Sequence, residues 1–408
     1  MVLITLVLLL TTLLLARFGI EDLAEALTYT GRITGAILIL VAATTLLGAA
    51  AVVDHWFQHN FPYSGLVALI GTVAALLANA MLLLETIKDG DSTAYAVLWG
   101  LLTAGSAWAL FAVWRTSVVI PAPKRVAAAL IVSSGLAIAN FGYQYLYQPY
   151  QRGAKPLVKM TVGKPVLSQD RKAFVVPVDI SLENHSDVGF YLLGAEFHAM
   201  GERVPLSAKD RLREQWRDDA EQWSKFQEKH PLSRRAIYQP GELVAAQPWM
   251  PAGNWIEAGD AFVTETLVHL PVDTPYDQLE FYATASFARK DRLSLERIDL
   301  NGYSWSGGKV PQWMKRNQTK APLDSVIYRG RVHENNAIAN RTMDPRYVTV
   351  YWQFGTNGAG LVETITRNGE EDRVQTDAET QALVSRYGLV TAGTGPIERT
   401  LWDVKSQR

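Results

Sequence analysis

The stretch Ile33–Val53 reads ITGAILILVAATTLLGAAAVV and holds no Lys, Arg, Asp or Glu. A helix rises about 1.5 Å per residue and a bilayer core is about 30 Å thick, so roughly 20 such residues span it. Ser64–Leu84, Thr93–Trp114 and Val126–Tyr147 are of similar length and equally free of charge, and a shorter apolar run, Met1–Ala16, opens the chain. After Tyr147 the apolar character stops. The expected architecture is an N-terminal α-helical transmembrane bundle of about five spans, residues 1–147, followed by a β-rich soluble part.

The first run lacks a basic leader, and Leu14-Leu15-Ala16 is a poor cleavage site, so it reads as a retained span rather than a signal peptide. Arg17–Arg32 sets Ile20, Leu23, Ala24 and Leu27 at helical spacing against Glu21, Asp22 and Glu25, which predicts a small interfacial helix or a capped loop. Gly31, Gly35, Gly48, Gly71, Gly100 and Gly105 permit close helix approach, Gly31 and Gly35 in a small-x-x-x-small spacing. Thr44, Thr45, Asn79, Thr103 and Ser106 can hydrogen-bond between helices. The absence of ionisable groups from the last four runs favours a packed anchor over an ion pathway.

The link between runs four and five carries Arg115, Lys124 and Arg125 and no acid. The positive-inside rule places it in the cytoplasm and the soluble part outside. Arg17, Arg32, Lys88, Arg152, Lys155 and Lys159 lie on the other side, and a count of basic residues alone gives the opposite orientation; the acids around Arg17, Arg32 and Lys88 and the β-rich pattern of the soluble part favour the outside. The expected location is the cell membrane, multi-pass, with an extracytoplasmic soluble part.

Beyond Pro149 the period changes to two. Phe174, Val176, Val178, Ile180 and Leu182 alternate with polar residues, as do Leu279, Phe281, Ala283, Ala285 and Phe287, and Val348, Val350, Trp352 and Phe354. Such strands predict an antiparallel sheet or sandwich with one apolar face. Asn368-Gly369 reads as a tight hairpin turn between Leu361–Arg367 and Glu370–Val374. Thr376-x-x-Glu379 reads as a capping box opening a helix that ends at Tyr387-Gly388. Ser207–Lys229 reads as a helix with Trp216 and Trp223 on its apolar stripe. The expected organisation is a β-rich domain over 148–301 with that helical insertion near 207–229, a loop or linker over 302–322, and a C-terminal β-rich subdomain with one helix over 323–408. One continuous domain is the alternative.

Lys+Arg total 39 against Asp+Glu 40 in 408 residues, which gives no reason to expect a nucleic-acid partner. Cysteine is absent, which excludes disulfides, zinc–thiolate sites and cysteine nucleophiles. No G-x-S-x-G elbow occurs. Gly302–Lys309 lacks the hydroxyl residue of a phosphate loop, since Val310 stands there. His198 and the other soluble-part histidines have no carboxylate and nucleophile at a spacing that associates them. No cofactor is expected.

Two sets of residues remain. His55 and His59 stand at i and i+4 beside Asp54, a spacing that can hold a metal, although no third ligand is evident nearby. Trp249 and Trp255, in the Gln239–Gly259 stretch, are candidate contacts for a ligand or partner, as are Trp216 and Trp223. The favoured function is binding, sensing or scaffolding at the cell envelope, with the lipid bilayer and a protein partner or second copy of the chain as partners. The alternatives are a metal-dependent membrane enzyme or transporter using His55 and His59, and an accessory subunit of a larger membrane complex.

Overall fold

A computed structural model describes residues 1–58, 60–116, 154–204, 241–306, 311, 314, 323–334 and 336–405. They group into two compact units. One takes the described residues within Met1–Gly153, Asp291–Ser294 and His333–Pro345; the other takes those within Ala154–Lys290, Leu295–Val332 and Arg346–Arg408.

The first unit is built on α1 (Val2–Glu25), α2 (Tyr29–Val53), α3 (Ser64–Asp89) and α4 (Thr93–Trp114). All four are long and apolar enough to cross a membrane. The fifth run, Val126–Tyr147, lies outside the described residues. The expected interfacial helix is instead the last turns of α1, because nothing from Arg17 to Glu25 breaks the helix. The break falls at Ala26–Thr28, where the Thr28 hydroxyl accepts the Gly31 N–H at 3.0 Å and caps α2.

Helix contact rests on missing side chains. A Cβ built on Gly71 would lie 2.6 Å from the Gly48 Cα, so α2 and α3 meet backbone to backbone. A Cβ on Gly35 would lie 2.7 Å from the Gly19 carbonyl oxygen on α1, whereas Gly31 faces Ala26 in its own turn. The Gly31/Gly35 spacing therefore contributes one helix contact, not two. Asn79 Nδ2 donates to Thr11 Oγ1 and to Ser106 Oγ, each at 3.0 Å, tying α1, α3 and α4 together. Outward, the helices present Leu3, Leu13, Leu40, Leu47, Leu84, Leu101 and Phe111, all exposed.

The second unit contains three open antiparallel sheets. One has β3 (Ala173–Glu183) at its centre, with β1 (Leu157–Val162) and β2 (Val166–Leu167) on one side and β7 (Ala261–Pro271) on the other. A second runs β14 (Val390–Thr400), β8 (Gln278–Arg289), β4 (Phe190–Glu202), β5 (Glu242–Gln247), with β6 (Trp255–Ile256) also on β4. The third runs β10 (Asp299–Tyr303), β11 (Asp324–Glu334), β12 (Arg346–Gly355), β13 (Gly358–Arg367); the short β9 (Leu293–Leu295) starts, and β11 ends, on residues grouped with the first unit.

The predicted alternation holds: Phe174, Val176, Val178, Ile180 and Leu182 are buried, as are Leu279, Phe281, Ala283, Ala285 and Phe287. These two rows form one core between the first two sheets. The opposite face of the β4–β8 sheet is covered too. Val350 and Leu361 of the third sheet press against Gly194, and Ser286 Oγ donates to Glu363 at 2.9 Å. The β-rich unit is therefore three layers deep, with β4 and β8 in the middle. The extra residue Leu193 bulges β4 and swaps the faces of its two ends.

Asn368-Gly369 does not close a hairpin between strands. Gly369 has the expected positive φ of 86°, but Arg373 N–H bonds back to Glu370 and the chain turns again toward the capping box. The hairpin turn lies earlier, at Thr356–Asn357 between β12 and β13. Thr376 and Glu379 do form the capping box of α6 (Asp377–Tyr387), which ends on left-handed Gly388. The Ser207–Lys229 helix lies outside the described residues. A last turn, α7 (Trp402–Lys405), follows β14; α5 belongs to the helical unit and is described with it below.

Gly71→Val should lower the melting temperature of the detergent-solubilised chain, because overfilling a packed contact costs about 1–3 kcal/mol. Gly100→Val, with no atom within 4 Å of its built Cβ, should leave it unchanged. Scanning fluorimetry in one detergent compares the two.

Candidate functional site

The middle sheet carries a buried polar row. The register sets Glu196 opposite Thr284, His198 opposite Tyr282, and Glu202 opposite Gln278. Glu196 is only 1% exposed and His198 8%. His198 Nδ1 lies 3.0 and 3.1 Å from the two Glu196 carboxylate oxygens. The imidazole stacks on Tyr282 at 4.7 Å and 11°. The Tyr282 hydroxyl donates to Glu280 Oε2 at 2.8 Å, and Gln278 Nε2 donates to Glu202 Oε2 at 2.5 Å. At the edge of the row, the Tyr276 hydroxyl donates to Glu242 at 2.7 Å; that hydrogen bond, with burial, raises the phenol above its ordinary pKa. Sequence spacing missed the cluster because its members come from two strands. The i, i+2 spacing of Glu196 and His198 was the available signal, since such residues share one face of a strand.

Chemically this is a carboxylate–imidazole pair stacked on a phenol. Because Tyr282 meets His198 face to face and sends its hydroxyl to Glu280, it is not placed to hand His198 a proton. The arrangement gives Glu196, Glu202 and Glu280 each a hydrogen-bonded neighbour within the sheet.

The helical unit has a second constellation. A short helix, α5 (Ala337–Thr342), sits at the end of the bundle where α1 and α3 finish and α4 starts. Ile338 is buried in the cluster that holds Leu15, Phe18, Trp99 and Leu102. Around it, the Ala337 N–H donates to Asp22 Oδ1 at 2.7 Å, and Arg341 makes two bonds to Glu21 at 2.6 and 2.9 Å. Asp91 and Ser92 N–H groups both donate to the Thr342 carbonyl at 2.8 Å. Residues 336–344 thus clasp the helix ends, a contact between positions some 250–320 apart in sequence.

The residues singled out from sequence fall elsewhere. Asp54 accepts the N–H groups of Asn60 and Phe61, each at 3.1 Å, and so closes the α2–α3 turn. His55 Nε2 lies 3.1 Å from Thr116 Oγ1. Asp54–Gln58 is a π turn, so the α-helical i, i+4 register assumed for His55 and His59 does not run through it; His59 lies outside the described residues. Among the described residues no group of three or more His, Asp or Glu is placed to hold a metal ion. Trp249 is 6% exposed and donates to the Thr284 carbonyl at 3.3 Å, so it is core rather than contact surface. Trp255 is 56% exposed, with Lys290 Nζ 5.1 Å above its ring. Trp216 and Trp223 lie outside the described residues.

No protein-family model matches the chain, and no curated protein matches it. Among solved structures, the Northeast Structural Genomics Consortium target SoR45 aligns over 34% of this chain and 74% of its own, at 9% identity and a TM-score of 0.17. Spo0M, a sporulation control protein from Bacillus subtilis, aligns over 62% of this chain and 94% of its own, at 9% identity and a TM-score of 0.19. Likeness at that level carries no argument about this chain.

Two stability predictions follow from the two clusters. His198→Ala should lower the stability of the β-rich unit by about 3–5 kcal/mol, because it strands a buried carboxylate. The double variant Glu196→Leu, His198→Phe should recover most of that loss. Urea titration followed by tryptophan fluorescence measures both. In the clasp, Ile338→Ala should cost about 2–5 kcal/mol. Arg341→Ala should cost no more than about 1 kcal/mol, since its ion pair is part-exposed. Thermal melts of the full chain rank the two.

Proposed function

We propose that this chain is an integral protein of the cell membrane that crosses five times and displays its β-rich unit on the extracytoplasmic side for binding, sensing or scaffolding. The observation that carries the reading is the surface of the helices. Leu, Val, Phe and Trp side chains cover the outward surface, in addition to the apolar residues such as Leu8, Leu15, Phe18 and Trp99 that pack between the helices, while glycines allow the closest helix approaches and Asn79 bonds across helices. Exposing that much apolar surface to water is unfavourable, and hydrocarbon removes the cost.

The clasp supports the number of crossings. Residues 336–344 dock where α1 and α3 end, and α4 runs from there to the opposite end. In a bilayer, the chain must then cross once more between residues 116 and 336. Val126–Tyr147 is the charge-free stretch of sufficient length in that interval. The link that holds Arg115, Lys124 and Arg125 carries no acid, and the positive-inside rule puts it in the cytoplasm, which with five crossings supports an extracytoplasmic display.

The natural absence of cysteine makes the test direct. Gln58→Cys and Asn357→Cys, both exposed positions, are each treated with a membrane-impermeant maleimide in intact cells and after lysis. Asn357→Cys should label in intact cells and Gln58→Cys only after lysis. Labelling of both from one side would refute five crossings, and the reverse pattern would refute the extracytoplasmic display.

A further inference from the structure

We propose that β7 is a dimerisation edge: it pairs antiparallel with β7 of a second copy of this chain, with the two Leu267 residues opposite each other. The proposal deepens the scaffolding reading and rests on the β-rich unit being displayed in solvent.

Among the described residues β7 has one strand neighbour, β3, and the register between them runs unbroken from Ala261 to Pro271. Val272 N–H donates to the Lys172 carbonyl at 3.0 Å and Asn184 N–H to the Asp260 carbonyl at 2.9 Å. In an antiparallel ladder alternate residues exchange bonds with the partner strand. Even-numbered residues of β7 therefore turn their backbone groups to β3. Ala261, Val263, Glu265, Leu267 and His269 turn theirs away from it.

Natural edge strands are usually blunted by lysine, by proline, by a bulge or by being short. β7 has no lysine, no bulge against β3, and a proline only as its last residue. It is 11 residues long, and Val263 and Leu267 are 66% and 47% exposed. Only Glu265 puts a charge on this row, so the choice of partner turns on what meets Glu265.

A second β7 meets it well. Centred on Leu267, antiparallel self-pairing sets Glu265 opposite His269 twice by symmetry, Leu267 on Leu267, and Val263 on Pro271. The imidazole can donate to the carboxylate whether or not it is protonated. Centred on Glu265 instead, two carboxylates would face each other, which is unfavourable. Charge complementarity thus selects one register, and a two-fold contact of this kind closes at two copies.

Leu267→Cys in full-length protein, oxidised in native membranes, tests this. Opposed residues of a hydrogen-bonded pair have Cα atoms about 5.5 Å apart, within disulfide reach of about 4.4–6.8 Å. Leu267→Cys should give a covalent dimer, and Leu300→Cys, exposed on a different sheet, should not. Adding Glu265→Lys should cut the crosslinked fraction at least about tenfold, and adding His269→Glu to that should restore it. Light scattering of the cysteine-free chain in detergent should show a dimer that Glu265→Lys dissociates. A monomeric Leu267→Cys, equal crosslinking at Leu300→Cys, a ladder of larger species, or no rescue by His269→Glu would each overturn the proposal. Failure of the membrane topology would appear in the maleimide pattern at Asn357→Cys and leave the Leu267→Cys readout intact.

Discussion

The β-rich unit depends on two central strands that have no open solvent face. β4 and β8 are covered on one side by an apolar layer and on the other by the β12–β13 pair, so every side chain on them must find a partner inside the protein. The two covers solve this differently. Phe197, Phe281, Phe287 and their neighbours remove apolar area from water without directional demands. Glu196, His198, Gln278, Tyr282 and Ser286 need matched donors and acceptors, and a slip of one residue would set those groups against the apolar layer. The apolar side supplies most of the driving force, and the polar side restricts the packing to one register.

The helical unit follows the same rules in the inverse sense. Its exterior is apolar, its closest backbone approaches are at Gly19, Gly35, Gly48 and Gly71 within an apolar interior, and Asn79, Thr11 and Ser106, like Thr12 and Thr45, bond across helices. Where hydrocarbon is the solvent, burying apolar area between helices gains little, so backbone proximity and buried hydrogen bonds have to hold the bundle. The clasp adds what these cannot, an apolar plug at the helix ends. Ile338 outweighs the surrounding ion pair because part-exposed charges remain screened by water.

Much of this was legible in the sequence. Charge-free runs located four helices, because length and charge alone decide whether a segment can span a bilayer. Period-two alternation located β3, β8 and β12, because one face of each is apolar. The same alternation misread the other face: a polar residue on a strand looks the same whether water or a second sheet lies above it. Glu280 and Tyr282 therefore carry no mark of the sheet above them, and the spacing of His198 in the sequence associates it with no partner. Trp249 was misplaced for a related reason, since a tryptophan in a loop-like stretch carries no local mark of burial. The clasp was illegible outright, because α5 is short and its partners are hundreds of residues away.

Anchoring changes what an exposed edge means. In free solution an open, partly apolar strand risks indefinite association, and a single glutamate is a thin defence. A chain held in a membrane already has restricted position and orientation, so part of the entropy cost of association is met before any contact forms. A weak contact can then be sufficient, and its specificity matters more than its strength. In the proposed β7 pairing, a Glu265–His269 match would supply that specificity. An open strand of this kind is therefore a liability in a free domain and can be a selective surface in an anchored one.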